Sequence, residues 1–263
     1  MKCKITGSIV LYKNDRKMLK ECIKSFFNTS INVHLYLVDN SPNTELKSLE
    51  ELNVNISYIS NPSNPGFGAS HNIVIDKILK TESSYHLILN PDIYYVTDVL
   101  KDLKFFMDKN HDVGHIMPKV TYPNGDYQFL CKGNPTFFDM LIRGFLPKFL
   151  KKIFIKRLNK FEYKDHNYDE KIYNIPYLSG CFMLFRTSTL RKVGYFDDRF
   201  FMYLEDADIT RRFLQVSKTL YYPDVQIFHH FAKFTHSSFK FKWITIQSAF
   251  VYFKKWGFLK HLI

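Results

Sequence analysis

The groups best suited to moving a proton are concentrated in one short stretch, residues 196–212. Here Glu205, Asp206 and Asp208 follow an apolar run that ends at Leu204, and three arginines lie in the same stretch. Carboxylates at a helix start are stabilised by the helix dipole and by free backbone N–H groups, so an acidic helix cap is one explanation. A carboxylate that stays accessible there can instead act as a general base. The choice depends on which other polar groups the fold brings to this stretch.

Two further motifs carry groups that bind metals. Asp92 ends the sequence Asn90-Pro91-Asp92, directly after an apolar strand-like run. A carboxylate in that place can bind a hard divalent cation and leave positions open for phosphate oxygens, or it can cap the next helix. His229 and His230 close another strand-like run. A lone imidazole is usually structural, so a metal role requires the fold to bring His229 to Asp92.

A glycine-containing loop and an aspartate point to an anionic ligand with a base. Residues 64–72 begin with Asn64 and place Gly66 and Gly68 just before a predicted helix, where backbone N–H groups can bind an anion. His71 stands where the dinucleotide fingerprint has its third glycine, and no P-loop lysine follows, so an ordinary glycine turn remains the alternative. Asp39 follows a strand and either accepts a hydrogen bond from a base or caps a helix.

The alternation of elements predicts how these groups are positioned. Strands at 5–12, 33–38, 55–60 and 85–89 alternate with helices at 16–28, 69–79 and 99–107. This order predicts a mainly parallel sheet with helices on both faces, and ligands bind beyond the carboxyl ends of such strands. Tyr12, Asp39, Asn64 and Asp92 should therefore line one edge. The later predicted elements are a turn at 122–127, a strand at 177–186 broken at 179–181, a short helix at 190–193, a helix ending near 216, strands at 220–222 and 225–228, and a last helix over 239–260.

The bulk composition limits the compartment and the partners. The 263 residues carry a net charge of +12, which favours an anionic partner, and 17% of them are aromatic. No nucleic-acid motif accompanies the charge, so nucleic acid is not expected as a partner. The four cysteines have no paired spacing, and neither a signal peptide nor an uncharged apolar span is present. We expect a soluble or peripheral cytoplasmic protein.

A basic, aromatic segment at about 143–164 favours a membrane surface as that partner. Its apolar residues recur with helical spacing and lysines and arginines stand opposite, as in a helix that lies on an anionic bilayer. The same pattern is typical of an ordinary amphipathic helix packed on the protein's own core. The predicted last helix, over 239–260, has the same two alternatives: contact with a membrane, or packing on the protein itself. The apolar positions of the segment are 145, 146, 149, 150, 153, 154, 158 and 161.

Together these motifs resemble the family 2 glycosyltransferases with the GT-A fold, and among them the rhamnosyltransferase-like enzymes of bacterial surface polysaccharide synthesis. The matching segments occur in the family's order and cover most of the chain, except for 131–175 and the part after 231. A metal at Asp92 and a base from Glu205 or Asp206 are the groups needed to displace a nucleoside diphosphate from a sugar. The segments are 8–14, 38–41, 64–72, 89–92, 178–186, 201–212 and 228–230.

The resemblance implies a role for each motif. Tyr12 and Asp39 contact the nucleoside, and Asn64, Gly66, Gly68 and Asn90 face the donor. Asp92 holds Mg²⁺ or Mn²⁺ under the diphosphate, with His229 as a further ligand, because Asn90 replaces the first acid of the family's Asp-x-Asp-type motif. Asp206 is the base of an inverting displacement, supported by Glu205 and Asp208, while Arg211 and Arg212 orient these carboxylates. Gly180 lies on the acceptor side.

The implied protein is a single Rossmann-like α/β domain over residues 1–263, with a mainly parallel sheet, a small antiparallel acceptor-side region and a C-terminal helix. Residues 1–118 form the nucleotide-sugar half, 119–238 the acceptor half, and 239–263 the tail. The donor is dTDP-rhamnose or a UDP-sugar, and the acceptor a lipid-linked or growing surface glycan at the inner face of the cytoplasmic membrane. A non-catalytic sugar-nucleotide or glycan-binding module on a decayed transferase fold is the alternative. The oligomeric state does not follow from the sequence.

Overall fold

The computed structural model describes residues 4–231 and 239–258 and builds them around a nine-stranded sheet. Two short strands, β7 Cys131–Lys132 and β9 Tyr177–Leu178, pair separately as a second, antiparallel sheet. The strands of the main sheet are β1 Ile5–Leu11, β2 Val33–Asp39, β3 Ile56–Ser60, β4 Tyr85–Leu89, β5 Ile93–Tyr94, β6 Val113–Thr121, β8 Ile172–Tyr173, β10 Phe182–Arg186 and β11 Lys218–His229. The α-helices are α1 Arg16–Phe26, α2 Phe67–Ile78, α3 Val99–Lys109, α4 Phe137–Phe145, α5 Lys148–Lys151, α6 Ile155–Phe161, α7 Thr187–Val193, α8 Glu205–Leu214 and α9 Phe239–Trp256.

The main sheet is mostly parallel, as the alternation of elements predicts. Its strands lie in the order β3-β2-β1-β4-β10-β6-β11-β5, and β8 pairs with β11. Only β10, β5 and β8 run against the others. All five residues of β4 are buried, which is expected of a strand that helices cover on both faces. The predicted α/β class with a small antiparallel region is therefore confirmed.

The two faces of the sheet carry separate hydrophobic clusters because side chains alternate along each strand. Leu87 and Leu89 join the cluster that contains α1 and α3, while Ile88 between them joins the cluster that contains α2, α7 and α8. A third cluster connects β9 and α8 with α9 through residues that include Tyr177, Ala207 and Tyr252. The C-terminal helix thus packs on the acidic stretch rather than on the main sheet.

The chain after residue 118 departs from its predicted elements. The two predicted strands at 220–222 and 225–228 are one strand, β11, whose register with β6 shifts between Tyr222 and Gln226. Pro223 lies in that irregularity, where a missing N–H group breaks no ladder bond. Helix α8 begins at Glu205, so Asp208 lies inside its first turn instead of before it.

The basic segment at 143–164 is not a single amphipathic helix. It comprises the end of α4, then α5, a 3₁₀ turn at Lys152–Phe154, and α6. Leu146 is extended, as residues before proline are, and Pro147 ends the helical run. Leu158 is buried whereas Ile153 is exposed, so the apolar positions do not share one face and that prediction is wrong. None of the helices that the structure describes is long and apolar enough to cross a bilayer. The predicted helix over 239–260 ends at Trp256, and positions 259 and 260 lie outside the described residues.

Candidate active site

The carboxyl ends of β1, β2 and β3 lie at one edge, where hydrogen bonds from Ser41 and Tyr58 hold Asp39 in position. Asp39 is buried, and its carboxylate accepts hydrogen bonds from the Ser41 backbone N–H at 2.9 Å and from the Tyr58 hydroxyl at 2.6 Å. Burial, and then the bond to Asp39, raise the pKa of Tyr58. Tyr12, by contrast, is 52% exposed at the end of β1. Asp39 fixes the turn, and Tyr12 offers its ring to solvent.

Amide side chains hold the loop that follows β3. Asn40 donates through Nδ2 to Asn64 Oδ1 at 3.2 Å and to Ser70 Oγ at 2.8 Å. Asn61 donates to Asn40 Oδ1 at 2.7 Å, and Ser70 also donates to the Gly66 carbonyl at 2.7 Å. Asn64 adopts a left-handed φ of 45°, which asparagine tolerates better than most residues. The residue type at position 64 therefore suits both the turn and the network.

The two glycines of this loop allow the acidic stretch to approach closely. Gly66 has a φ of 106°, and a Cβ atom there would lie 2.2 Å from the carbonyl oxygen of Phe201. A Cβ atom on Gly68 would lie 2.8 Å from the Cβ of Phe196. The Phe67 backbone N–H donates to that same Phe201 oxygen at 2.9 Å. These glycines therefore contact the acidic stretch. That they also face a donor stays a prediction.

Asn72 on α2 forms two hydrogen bonds with the backbone of Phe196, at the start of the acidic stretch. Its Nδ2 donates to the Phe196 carbonyl at 2.8 Å, and its Oδ1 accepts from the Phe196 N–H at 2.9 Å. An amide that pairs with both polar groups of one distant residue fixes the position of that backbone. Asn72 lies within a motif that the sequence singled out, but nothing in the sequence indicates this pairing.

The structure brings Asp92 and His229 together, because β5 pairs antiparallel with the end of β11. The Nε2 atom of His229 lies 3.3 Å from Asp92 Oδ1, and the His230 N–H donates to the Asp92 carbonyl at 3.0 Å. His230 itself turns away, stacks on Tyr94 and lies 3.2 Å from Glu21 Oε2. His229 is therefore the histidine that faces Asp92.

Gln128 determines which nitrogen of His229 carries the proton. The Gln128 amide donates through Nε2 to the His229 carbonyl, and its Oε1 lies 2.8 Å from His229 Nδ1. Because a carbonyl only accepts, the amide orientation is fixed, and Nδ1 must be the donor toward Oε1. In neutral His229, the Nε2 lone pair then points at a carboxylate. A cation between the two would satisfy both, with Gln128 acting as the outer partner that orients a metal-binding histidine.

These two side chains fit a divalent cation that takes its other ligands from elsewhere. The described residues contain no cluster of three or more histidine, cysteine, aspartate or glutamate side chains able to hold a metal by themselves. Mg²⁺ is commonly bound by one or two protein carboxylates together with substrate phosphates and water. Asp92 and His229 therefore match a cation that arrives with, or is completed by, a phosphorylated ligand.

Cys181 lies between this pair and the acidic stretch. Burial raises the pKa of its thiol to about 12, and the charges of both Asp92 and Asp206 contribute to that rise. Its carbonyl accepts from the Asn90 N–H at 2.9 Å, which joins the turn of Asp92 to the segment that contacts Asp206. Asn90 itself is half-buried. The adjacent residues Gly180 and Cys181 thus connect the turn of Asp92 with Asp206.

Asp206 is held by hydrogen bonds from its neighbour Ala207 and from two residues of the segment 177–180. Its carboxylate accepts from the Gly180 N–H at 2.9 Å and from the Ala207 N–H at 2.9 Å, and Tyr177 hydrogen-bonds to it as well. A Cβ on Gly180 would lie 3.3 Å from the Asp206 Cβ, so the glycine allows this approach. Burial raises the pKa of Asp206, although the charge of Lys132 opposes that rise. A carboxylate with a raised pKa is a better proton acceptor.

Lys132 is a cation whose charge acts on Asp206, and the sequence motifs do not include it. It pairs with Tyr177 across the small sheet, and its Nζ lies 4.6 Å from the centre of the Tyr177 ring. Burial, and then the charge of Arg143, lower the pKa of Lys132 to about 8, while Asp206 acts in the opposite direction. Nothing in the local sequence marks Lys132, because its partner lies 45 residues further along the chain.

Glu205 is buried beside Asp206, and its Oε2 has no hydrogen-bond partner. Burial, followed by the charge of Asp206, raises the pKa of Glu205 well above its usual value. The two residues before it, Tyr203 and Leu204, have left-handed φ angles of 75° and 67°. Such a pair costs non-glycine residues about 1–3 kcal/mol each, and strain of this kind concentrates at functional sites.

Asp208 and Arg211 contact the C-terminal helix. Asp208 is fully buried and accepts from Arg212 Nε at 3.0 Å and from Trp256 Nε1 at 2.8 Å, while Lys255 Nζ lies 2.8 Å from its Oδ1. Arg211 lies over the Trp256 ring at 4.1 Å. These contacts dock α9 on α8, and the acceptor-side roles expected of Asp208 and Arg211 stay predictions.

A mainly parallel sheet with polar side chains beyond the carboxyl ends of its strands is typical of α/β proteins that bind a ligand at that edge. Comparison with known proteins gives the family. The family described as "Glycosyl transferase family 2" matches residues 8–194, which is well over half of the chain. The chain therefore belongs to glycosyl transferase family 2 and is a glycosyltransferase.

Two similar proteins are named rhamnosyltransferases. Rhamnosyltransferase WbbL of Escherichia coli (strain K12) is 25% identical over 255 residues, which are 93% of this chain and 90% of that protein. N-acetylglucosaminyl-diphospho-decaprenol L-rhamnosyltransferase of Mycobacterium tuberculosis is 24% identical over 190 residues, 69% of this chain. The aligned region spans 61% of the mycobacterial protein's length.

Solved structures share the fold at low sequence identity. GalNAc-T7 with UDP, GalNAc and Mn²⁺ aligns with a TM-score of 0.67 and 14% identity, over 95% of this chain and 48% of that chain. The mannosyltransferase PcManGT of Pyrobaculum calidifontis, with GDP-Man and Mn²⁺, aligns with a TM-score of 0.63 and 12% identity, over 97% of this chain and 64% of its own. Their likeness establishes the GT-A fold.

Proposed function

We propose that this protein is an inverting, metal-dependent glycosyltransferase that moves a sugar from a nucleotide-diphosphate donor to a lipid-linked or growing bacterial surface glycan. Rhamnose from dTDP-rhamnose is the favoured sugar because both similar proteins are named rhamnosyltransferases, and a UDP-sugar is the alternative donor. The observation that carries the proposal is that two adjacent residues contact both groups of carboxylates. The Cys181 carbonyl accepts from the Asn90 N–H in the turn of Asp92, and the Gly180 N–H donates to Asp206, each at 2.9 Å.

The donor occupies the edge formed by β1, β2 and β3. Tyr12 supplies an exposed ring for the base, and Asp39 and Asn64 shape the turns around the nucleoside. Asp92 and His229 hold the cation, as two GT-A structures with Mn²⁺ support. When bound, the cation neutralises charge on the diphosphate and so improves it as a leaving group.

Asp206 acts as the base. It removes the proton from an acceptor hydroxyl, whose oxygen then attacks the anomeric carbon of the donor sugar. The bond from that carbon to the diphosphate oxygen breaks, and the nucleoside diphosphate leaves with the electron pair. Gly180 and Tyr177 orient the carboxylate through their hydrogen bonds. Glu205, kept protonated by burial, adds no second negative charge beside the base.

The acceptor is anchored at the inner face of the cytoplasmic membrane. One similar protein is named for a diphospho-decaprenol acceptor, which is a lipid. The segment 143–164 carries a high density of lysine and arginine among exposed apolar side chains such as Phe149 and Ile153, and this composition suits an anionic membrane surface. The protein is then peripheral rather than embedded.

A thermal-shift panel tests the donor site. Wild type and Asp92→Asn are heated with dTDP, UDP, GDP or CMP, each with and without Mn²⁺. A ligand at one hundred times its dissociation constant stabilises a protein by about 2.7 kcal/mol, so binding is visible. We expect one nucleoside diphosphate to raise the melting temperature of wild type only with Mn²⁺, and to lose that effect in Asp92→Asn. The absence of a shift with every nucleotide would contradict the proposal.

A further inference from the structure

Helix α9 has two faces of opposite character. On its inner face Tyr252 is buried in the cluster that contains Leu204 and Ala207, and Ser248 donates to the Met202 carbonyl at 2.7 Å. On its outer face four large apolar side chains are exposed at a spacing of four, three and four residues, which places them in one stripe. These are Phe239, Trp243, Ile246 and Phe250.

A second set of exposed apolar side chains adjoins this stripe. Phe253 lies three residues after Phe250, so it is the buried end of the same stripe. Phe137, at the start of α4, has its ring centre 6.1 Å from that of Phe253 and 6.4 Å from that of Phe258. Exposed apolar side chains continue from Phe137 along α4 and α5 to the 3₁₀ turn. We call the combined surface the apolar face; its members are Phe137, Phe138, Leu141, Phe149, Ile153, Phe239, Trp243, Ile246, Phe250 and Phe258.

The charges around the apolar face are almost all positive. Residues 137–161 contain seven lysines or arginines and residues 239–258 contain four, whereas the two segments together contain one carboxylate, Asp139. Three of these eleven cations are paired with carboxylates: Arg157 with Asp139, Arg143 with Glu162 and Lys255 with Asp208. The other eight set the surface charge. Large aromatic side chains within a ring of cations are the pattern of a surface that inserts shallowly into an anionic bilayer.

We propose that the apolar face binds an anionic membrane and that α9 sets the depth of the catalytic carboxylates relative to it. The inner side of α9 is fixed to the acidic stretch by three contacts: Ser248 with Met202, and Lys255 and Trp256 with Asp208. Asp208 is two residues from Asp206. Only the thickness of one helix, about 10 Å, therefore separates the membrane surface from the acidic stretch.

This geometry narrows the acceptor class, a step that rests on the proposed function. A base held about one helix diameter from the bilayer reaches a hydroxyl that is close to the lipid phosphate, such as one on the first sugar of a lipid-linked acceptor. The far end of a long glycan extends beyond that reach. The apolar face therefore favours a short, membrane-proximal acceptor.

The chain's two tryptophans allow a direct test, because they lie on opposite faces of α9. Trp243 is 54% exposed on the outer face, and Trp256 donates to Asp208 on the inner face. Vesicles of phosphatidylcholine with phosphatidylglycerol, carrying bromine on their acyl chains, quench tryptophan that enters the bilayer. We expect strong quenching in wild type and little in Trp243→Phe, which reports Trp256 alone. Equal quenching in the two proteins would overturn the proposed orientation.

Vesicle sedimentation measures the affinity with a matched control. Phe250 and Phe105 are each 61% exposed, but Phe105 lies on α3, away from the apolar face. We expect Phe250→Ser combined with Trp243→Ser to bind anionic vesicles at least tenfold more weakly than wild type, and Phe105→Ser to bind like wild type. Equal binding by all three, or equal binding of wild type to pure phosphatidylcholine, would overturn the proposal.

The nucleotide thermal shift, measured on the same preparations, separates the two proposals. If wild type keeps its Mn²⁺-dependent shift but does not sediment with anionic vesicles, the membrane inference fails and the donor site stands. If wild type sediments as expected but shows no shift with any nucleotide, the apolar face is supported and the proposed function fails.

Discussion

The edge formed by β1, β2 and β3 and the acidic stretch hold buried carboxylates in different environments. At that edge, Asp39 accepts one hydrogen bond on each carboxylate oxygen, from Ser41 and from Tyr58. In the acidic stretch, Asp206 is held by Gly180 and by Tyr177, and the neighbouring Glu205 has an oxygen with no partner. Burial raises the pKa of both Glu205 and Asp206.

This difference separates a carboxylate that fixes a turn from the pair that we propose to be catalytic. Both oxygens of Asp39 accept a hydrogen bond, whereas Glu205 Oε2 has no partner. A carboxylate whose pKa burial raises is a better base, and the surrounding structure must offset the cost of holding it. Asp208 lies only two residues from Asp206, but its charge is matched by Lys255 and Arg212, and these contacts dock α9.

The largest expected effect comes from removing the base. Asp206→Asn should lower the rate of transfer by roughly 10²–10⁴-fold, the usual contribution of a general base, while leaving the nucleotide thermal shift intact. Steady-state kinetics with the thermal shift measures both. Asp198→Asn, an exposed aspartate in the same stretch, serves as the control and should retain activity. A collapse of donor affinity in Asp206→Asn would mean that its role is misassigned.

A large loss of stability, without a direct role in chemistry, is expected for Asp208→Asn. The substitution leaves Lys255 and Arg212 without their shared buried partner, and breaking a buried ion pair costs about 3–5 kcal/mol. The lower end is expected here because Lys255 keeps its contact with Asp197. Urea unfolding measures the change in the free energy of unfolding. A loss below about 1 kcal/mol would show that Asp208 is not needed to dock α9.

The smallest expected effect is in Glu205→Gln, where the free energy of unfolding should depend on pH differently from wild type. It is also the most direct test of the comparison between the two regions. Because the pKa of Glu205 is raised in the folded state, the protein loses stability as pH rises from the ordinary value of 4.5 through the folded value. Glutamine does not titrate. The free energy of unfolding of the variant, relative to that of wild type, should therefore increase as the pH rises from 5 to 8. A difference that stays constant across this range would show that Glu205 is not held protonated.

The sequence predicts the donor half well because its elements are local. The strands β1 to β4 and the helices between them lie within two residues of their predicted ends, since apolar periodicity and turn residues define each one. The segment 143–164, by contrast, breaks at Pro147. The proline itself predicts this break, but the regular apolar spacing on either side predicts one continuous helix. Periodicity alone is misleading there.

The site residues also fall into two groups, those that local sequence predicts and those that it does not. Asp92, His229 and Asp206 could be named from their places at strand and helix ends, and the structure brings the first two together. Gln128 and Lys132 could not, because each acts on a residue far away in the sequence: Gln128 on His229 across 101 positions, and Lys132 on Asp206 across the small sheet. Such pairings follow from tertiary packing, which local patterns do not encode.

The close approach of Gly66 to Phe201 also has a consequence for biosynthesis. The loop at 64–72 leaves the ribosome more than one hundred residues before the acidic stretch, which is several seconds at about 5–20 residues per second. The Phe201 carbonyl and the Phe196 backbone then meet a loop to which they bind through Phe67 and Asn72. The loop is thus synthesised well before the turn that packs on it.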